Sequence, residues 1–217
     1  MNSPVALRIT EIFHSIQGES TQAGRRCCFV RLTGCNLRCV WCDTAYAFEG
    51  GRDVAIPEIV REVESHGAPL VLVTGGEPLA QPAVHDLMEA LLAAGKEVMI
   101  ETGGSLDVSR IDRRVRIVMD LKCPGSGMER MNRWENLALL KPTDEIKFVV
   151  ADRADYEWSR EEIRRRRLWE AVTVLLSPVF GAMDPRALAE WILEDRLEVR
   201  MQMQMHKAIW PSEMRGV

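Results

Sequence analysis

The feature that most limits how this chain folds is a succession of short apolar runs separated by amphipathic stretches. Cys27–Leu32 (CCFVRL), Leu70–Thr74 (LVLVT), Glu97–Glu101 (EVMIE), Val115–Leu121 (VRIVMDL), Glu145–Val150 (EIKFVV), Ala171–Leu176 (AVTVLL) and Glu198–Met203 (EVRMQM) all have strand length. Near-continuous apolar runs suit strands covered on both faces, as in a parallel sheet. Arg8–Phe13 offers a further first strand. Helical spacing marks Pro57–His66, Pro82–Ala94, Ala154–Trp169 and Pro185–Asp195. In the second of these, Val84, Leu87, Met88, Leu91 and Leu92 share a face and Gly95 stands ready to end the helix. Alternating strands and helices predict an α/β protein. No repeat or linker divides the 217 residues, so one domain over residues 1–217 is expected, with Gly125–Asn136 as a mobile insert.

Charge and composition exclude several classes. Lys and Arg number 28 against 32 Asp and Glu, a net charge of −4, which argues against a nucleic-acid binder. The most basic run, Arg164–Arg167, follows Glu161 and Glu162 at the four-residue offset of helix salt bridges. No apolar run reaches the roughly 18–20 residues that span a bilayer, and Met1–Gln17 has no signal-peptide core. A cytoplasmic, membrane-free protein is expected. Cys27, Cys28, Cys35, Cys39 and Cys42 crowd together, with Cys123 the sixth. Such clustering indicates metal or redox chemistry in a reducing compartment. Met201, Met203 and Met205 alternate as one packed face of a strand would.

Three cysteines are spaced Cys35-x3-Cys39-x2-Cys42 on a segment rich in Gly, Asn and Arg. Three thiolates can bind three irons of a [4Fe–4S] cluster, and a fourth iron without a protein ligand would be open to a small chelating molecule. A zinc site would need a fourth close ligand, yet the next histidine after Cys42 is His66. Buried free thiols are the other alternative, and this polar loop makes a poor core. Cys27, Cys28 and Cys123 are expected as bystanders.

This cysteine loop, with Trp41 before its last cysteine, resembles the signature of the radical S-adenosylmethionine superfamily. Thr74-Gly75-Gly76-Glu77-Pro78 resembles the superfamily's second motif. Within it, Glu11-Ile12-Phe13, Ile16-Gln17-Gly18-Glu19-Ser20, Phe29-Val30-Arg31-Leu32, Cys42-Asp43-Thr44 and Met203-Gln204-Met205-His206-Lys207 resemble the 7-carboxy-7-deazaguanine synthase family. Leu106–Arg116 and Asp152–Arg167 carry few landmarks of it.

The resemblance implies a partial (β/α)6 open TIM barrel with its site at the strands' C-terminal ends. A full eight-unit barrel takes about 250 residues, so roughly six strands fit here. It implies Cys35, Cys39 and Cys42 as ligands of a [4Fe–4S] cluster whose open iron binds S-adenosylmethionine, and Thr44 as a ligand of Mg2+. Reductive cleavage of that cofactor starts a radical ring contraction of 6-carboxy-5,6,7,8-tetrahydropterin to 7-carboxy-7-deazaguanine, with loss of ammonia, in queuosine and 7-deazapurine biosynthesis. The chemistry is the cofactor's, so no catalytic side chain is assigned. S-adenosylmethionine contacts are implied for Trp41, Cys42, Asp43, Gly75, Gly76, Glu77, Asp120, Lys122 and Ser177. Substrate contacts are implied for Ile16, Gln17, Gly18, Glu19, Arg31, Thr74, His206 and Val217. Arg31, a charge inside an apolar run, would hold the pterin carboxylate, and Glu101 at a strand end joins the substrate set. An external electron donor such as a flavodoxin or ferredoxin, and a homodimer, are further implied. A glycyl-radical-enzyme activase and a non-catalytic Fe–S electron-transfer protein remain the alternatives.

Overall fold

The structure is a computed structural model that describes residues 5–217; the first four residues of the expected domain lie outside it. One nine-stranded sheet runs through the molecule: β1 (Ala6–Ile16), β2 (Arg26–Leu32), β3 (Arg52–Ala55), β4 (Leu70–Gly75), β5 (Glu97–Thr102), β6 (Arg116–Leu121), β7 (Glu145–Val150), β8 (Thr173–Pro178) and β9 (Arg200–Met201). Their order is β3-β1-β2-β4-β5-β6-β7-β8-β9. From β2 through β8, six strands run parallel, and the two-residue β9 extends them. β1 pairs antiparallel with β2 and β3. The two ends of the sheet do not pair, so the barrel stays open, as expected from the chain length.

Helices α1 (Ile56–Ser65), α2 (Val84–Ala93), α3 (Arg153–Arg166) and α4 (Pro185–Asp195) join the parallel strands, and α5 (Met205–Ile209) follows β9. Local chemistry sets their ends. Asp152 and Asp184 accept from backbone N–H groups in the first turns of α3 and α4, which satisfies orphan donors there. Gly95 takes a positive φ just past α2. The arginine run on α3 is a salt-bridged surface, although Arg165 and Arg166 both pair with Glu162 rather than one with Glu161. Arg160 and Arg164 reach Asp195 and clamp α3 to α4.

The sheet has two buried faces. Its outer face meets the helices in a continuous core that includes Val30, Val73, Ile100, Met119, Phe148 and Leu176. Its inner face carries a smaller apolar floor of Cys27, Phe29, Leu70, Leu72, Met99 and Val118, with Phe13 stacked on Phe29 at 4.8 Å. Cys27 and Cys28 are both fully buried, one on each face.

Two expectations are corrected. The methionine alternation does not mark a strand: β9 stops at Met201, Met203 is 49% exposed and Met205 begins α5. The expected mobile insert is a run of short 3-10 turns fastened by buried asparagines. Asn132 exchanges hydrogen bonds with the Lys122 backbone, and Asn136 donates to the carbonyls of Gly104 and Leu106.

Glu145, at the start of β7 and 1% exposed, anchors the loop between β1 and β2 by accepting from the Thr21 amide at 3.0 Å and its hydroxyl at 2.5 Å. Replacing Glu145 with Ala strips two donors of their partner and should cost about 1–3 kcal/mol, read as a lower urea midpoint. An unchanged midpoint would show that the loop does not depend on this anchor.

Candidate active site

A cavity of about 760 Å³ opens at the C-terminal ends of the parallel strands. The loop after β2 forms one wall. Its fold is held by backbone contacts: Arg38 donates to the carbonyls of Cys35 and Leu37, stacks its guanidinium on Phe48 at 4.3 Å, and Val40 donates to the Ser126 carbonyl. These contacts leave Cys35, Cys39 and Cys42 half-buried and facing the cavity with free thiols. Burial pushes the Cys35 and Cys39 thiols up from their ordinary value. Among the described residues, no three Cys, His, Asp or Glu side chains converge on one ion. A four-iron cluster asks for a different arrangement, with each thiolate on its own iron.

The turn after β4 presses directly on this loop. Gly76 donates to the Leu32 carbonyl, and Glu77 donates through its amide to the Gly34 carbonyl at 2.8 Å. A Cβ at Gly76 would lie 2.2 Å from the Gly34 oxygen and 2.7 Å from the Cys35 Cβ. Glycine is therefore required by the fit of the two loops, and the bare backbone of Gly75 and Gly76 is left on the cavity wall. Glu77 does not share that wall. It is 1% exposed, and its carboxylate accepts from the Leu79 amide, the Gly103 amide and the Thr102 hydroxyl. Its carboxylate, expected at S-adenosylmethionine, instead ties the ends of β4 and β5 together. Ser177 is likewise 2% exposed and off the cavity wall, where Val179 and Phe180 stand instead.

Strand periodicity builds the inner end of the cavity. Two residues beyond the apolar floor, the same face of β2, β4, β5 and β6 presents Arg31, Thr74, Glu101 and Asp120. Lys147 of β7, aligned with Asp120, completes the ring. Lys147 is a functional candidate missed in the sequence, although it carries the same mark as Arg31, a charge within an apolar run. Its side chain is 6% exposed and pairs with Glu101, with Glu19 at 2.8 Å and with Asp120 at 3.7 Å. Burial works to lower the Lys147 pKa, but the three carboxylates hold it well above the ordinary lysine value. Lys122 pairs with Asp120 Oδ2 at 2.9 Å, while Asp120 Oδ1 is buried with no partner. Arg31 binds Glu11 through Nε at 2.7 Å, and Tyr46 donates to the same Glu11 oxygen. Among the described residues, the two terminal nitrogens of Arg31 make no such bond.

The remaining walls come from opposite ends of the chain. Ile16, Gln17, Gly18 and Glu19 lie beside Gln204, His206 and Lys207. Gln202 and Gln204 each donate to Glu19, and Met205 donates to the Gly18 carbonyl. A Cβ on Gly18 would sit 2.5 Å from the His206 ring, so any other residue here would displace that ring. Burial lowers the His206 pKa, which keeps the ring neutral at pH 7. Partial burial works to raise the Asp43 carboxyl, but Lys207 at 2.8 Å and the Thr44 hydroxyl at 2.9 Å hold it well below the usual range. Trp41 and Thr44 are half-buried on the wall. The tail closes over the cavity: Ser212–Val217 line it, and Arg215 stacks on Tyr46 at 4.0 Å. Val217 is thus on the wall. Gln202, Gln204, Lys207 and Tyr46 are further residues that spacing alone did not single out.

The thiols should differ sharply in reactivity. Cys27 and Cys28 are fully buried and burial pushes both up to about 12, and Cys123 is 1% exposed with its sulfur against the Ser159 hydroxyl. Iodoacetamide should therefore modify Cys35, Cys39 and Cys42 of metal-free protein well before the other three, as read by peptide mass spectrometry. Early labelling of Cys27, Cys28 or Cys123 would contradict this arrangement.

Comparison with known proteins agrees with the fold and with the motifs. The Radical SAM superfamily model matches residues 29–167. A 7-carboxy-7-deazaguanine synthase of Chlorobaculum tepidum is 48% identical over 220 aligned positions that cover 100% of both chains. That of Koribacter versatilis is 47% identical, covering 97% of this chain and 100% of its own. In overall fold the chain is similar to the crystal structure of QueE from Escherichia coli, with a TM-score of 0.77 at 24% identity over 93% of this chain and 95% of that one. Streptococcus suis SuiB bound to S-adenosylmethionine shares the fold more distantly, with a TM-score of 0.55 at 15% identity over 79% of this chain and 45% of that one. The chain belongs to the radical S-adenosylmethionine superfamily and, within it, to the family of the 7-carboxy-7-deazaguanine synthases.

Proposed function

We propose that this chain converts 6-carboxy-5,6,7,8-tetrahydropterin to 7-carboxy-7-deazaguanine with loss of ammonia. The observation that carries the proposal is that three half-buried thiols of one loop and a ring of partly buried, paired charges line the same cavity. Full-length identity to synthases of this name supports it.

The residues present fit the groups this chemistry needs. Cys35, Cys39 and Cys42 would hold a [4Fe–4S] cluster. The exposed backbone of Gly75 and Gly76, together with Trp41, Cys42 and Asp43, flanks the place for S-adenosylmethionine, and the orphaned Oδ1 of Asp120 offers an acceptor for a ligand's donor. Bound together, cluster and S-adenosylmethionine supply a carbon-centred radical able to take a hydrogen atom from the pterin.

The chain's own part is to bind, orient and shield. Arg31 offers its two terminal nitrogens to the pterin carboxylate, with Nε already fixed by Glu11. Gln17, Glu19 and Glu101 face the donors and acceptors of the aminopyrimidinone ring, with Thr74 and neutral His206 on the same wall. Thr44 donates its hydroxyl hydrogen to Asp43, which leaves its oxygen lone pairs for Mg2+. The tail through Val217 covers the cavity and keeps water out.

The wider reading is one domain over residues 1–217, in the cytoplasm, acting as a homodimer with an external flavodoxin or ferredoxin as electron donor. Among the described residues no helix is long and apolar enough to cross a membrane. A cavity covered by its own tail favours a small molecule over the protein substrate of an activase. A fully ligated electron-transfer cluster would need a fourth cysteine, and Cys123, the remote option, is buried away from the cavity.

Anaerobically reconstituted protein, given the carboxy-tetrahydropterin, S-adenosylmethionine, Mg2+ and a reductant, should form the deazaguanine acid by mass spectrometry. Cofactor cleavage without that product would overturn the proposal in favour of an activase. Joint replacement of Cys35, Cys39 and Cys42 by Ala should abolish cluster binding and product. Thr44→Ala should raise the Mg2+ concentration needed for half-maximal rate; an unchanged requirement would remove Thr44 from the metal site.

A further inference from the structure

Lys147 is the most deeply buried charge on the cavity wall, and nothing in the motif arguments accounts for it. Its ammonium meets three carboxylates from three parts of the fold: Glu19 before β2, Glu101 at the end of β5 and Asp120 on β6. Asp120 has a second cation in Lys122. Among the described residues, Lys147 is the one cation paired with Glu19 and with Glu101.

Lone-pair accounting separates these two carboxylates. A carboxylate offers about four acceptor sites. Glu19 already receives Lys147 and Gln202 on Oε2 and Gln204 on Oε1. Glu101 receives only Lys147, on Oε1, and its side chain is 28% exposed on the cavity wall. Glu101 is therefore the carboxylate with room for a ligand that brings two parallel N–H donors.

We propose that Lys147 is a positioning residue for the heterocyclic substrate: its ammonium keeps Glu101 an oriented carboxylate, so that Glu101 accepts from the paired N–H donors of an amidine-like ring edge. The proposal rests on the pterin reading above, since the aminopyrimidinone ring carries such an edge. Without Lys147, Glu19 and Glu101 would be two partly buried carboxylates left without their shared cation, and one would take up a proton. A protonated Glu101 has exchanged an acceptor site for a donor and no longer matches two N–H groups. The groups facing Glu101 all enter this balance. Burial raises its pKa, Lys147 lowers it, and Glu19 and Asp120 raise it. Lys147 is thus the group that opposes the rest.

The test is equilibrium binding of the carboxy-tetrahydropterin to cluster- and S-adenosylmethionine-loaded protein, kept oxidised so that no turnover occurs, between about pH 6 and pH 9. Lys147→Met should weaken pterin binding about tenfold or more at neutral pH, the worth of a charge-assisted hydrogen bond, while S-adenosylmethionine binding is unchanged. Relative to the unsubstituted protein, the loss should shrink as pH rises, because a carboxyl with a raised pKa is regained as an acceptor only above that pKa. A loss of the same size at every pH, or no loss, overturns the assignment.

The charge-balanced pair Lys147→Met with Glu101→Gln decides the matter if the single variant does not fold. It should bind pterin as Glu101→Gln alone does, since Lys147 acts through Glu101. A further loss in the double variant would mean that Lys147 acts by a route other than Glu101, either directly on the substrate or through Glu19, and would overturn the proposal. Unsubstituted protein that binds no pterin defeats the functional reading and this inference together; normal binding with an unaffected Lys147→Met defeats this inference alone.

Discussion

An open parallel sheet has an inside that its own strands must line, and the way this chain lines it determines everything built above. One layer of side chains is hydrocarbon, from Phe29 and Leu72 across to Met99 and Val118. One step of the strand repeat further on, the same face is charged. Uncompensated, such a layer would be costly to bury. Here it is compensated internally: Lys147 against Glu101 and Glu19, Lys122 against Asp120, Arg31 against Glu11. The apolar floor sets the depth of the cavity, and the paired charges keep its lower wall polar and ordered. The cysteine loop, the Gly75-Gly76 turn and the chain ends are then arranged around that wall.

The two ends of the chain meet across it. Glu145 fixes the loop after β1, and Glu19 in that loop gathers Gln202, Gln204 and Lys147 from residues far apart in sequence. Gly18 accepts from the Met205 amide at the start of α5 and lets the His206 ring pack against its bare backbone. The segment after α5 then runs back over the opening as far as Val217. A site covered in this way suits small-molecule chemistry that must exclude water, and it gives the last residues of the chain a role that the composition of the tail does not hint at.

Much of this is legible in the residues before any coordinates are known. The apolar runs mark the parallel strands to within a few residues, and Pro185–Asp195 marks α4 at both ends. The three-cysteine loop and the Thr74–Gly76 part of the second motif lie on the cavity because strand C-termini converge there. What escapes has physical causes. β3 is four residues long, half charged, and exists because β1 offers it an edge. The Met201, Met203 and Met205 alternation imitates a strand although the backbone turns into a helix. Glu77 sits in a motif that suggests ligand contact, yet three nearby donors draw its carboxylate inward. Lys147 bears a visible mark, a cation in an apolar run, but its meaning depends on cross-strand register that one strand's sequence does not carry.

The ring contraction proposed for this cavity implies, by resemblance to the 7-carboxy-7-deazaguanine synthases, that the abstracted hydrogen is returned and S-adenosylmethionine is not consumed. The direct measurement is the number of 7-carboxy-7-deazaguanine molecules formed for each S-adenosylmethionine lost by reduced, reconstituted protein. Many products per S-adenosylmethionine lost is the predicted result. One S-adenosylmethionine lost per product, or its loss with no deazaguanine formed, would contradict that proposal.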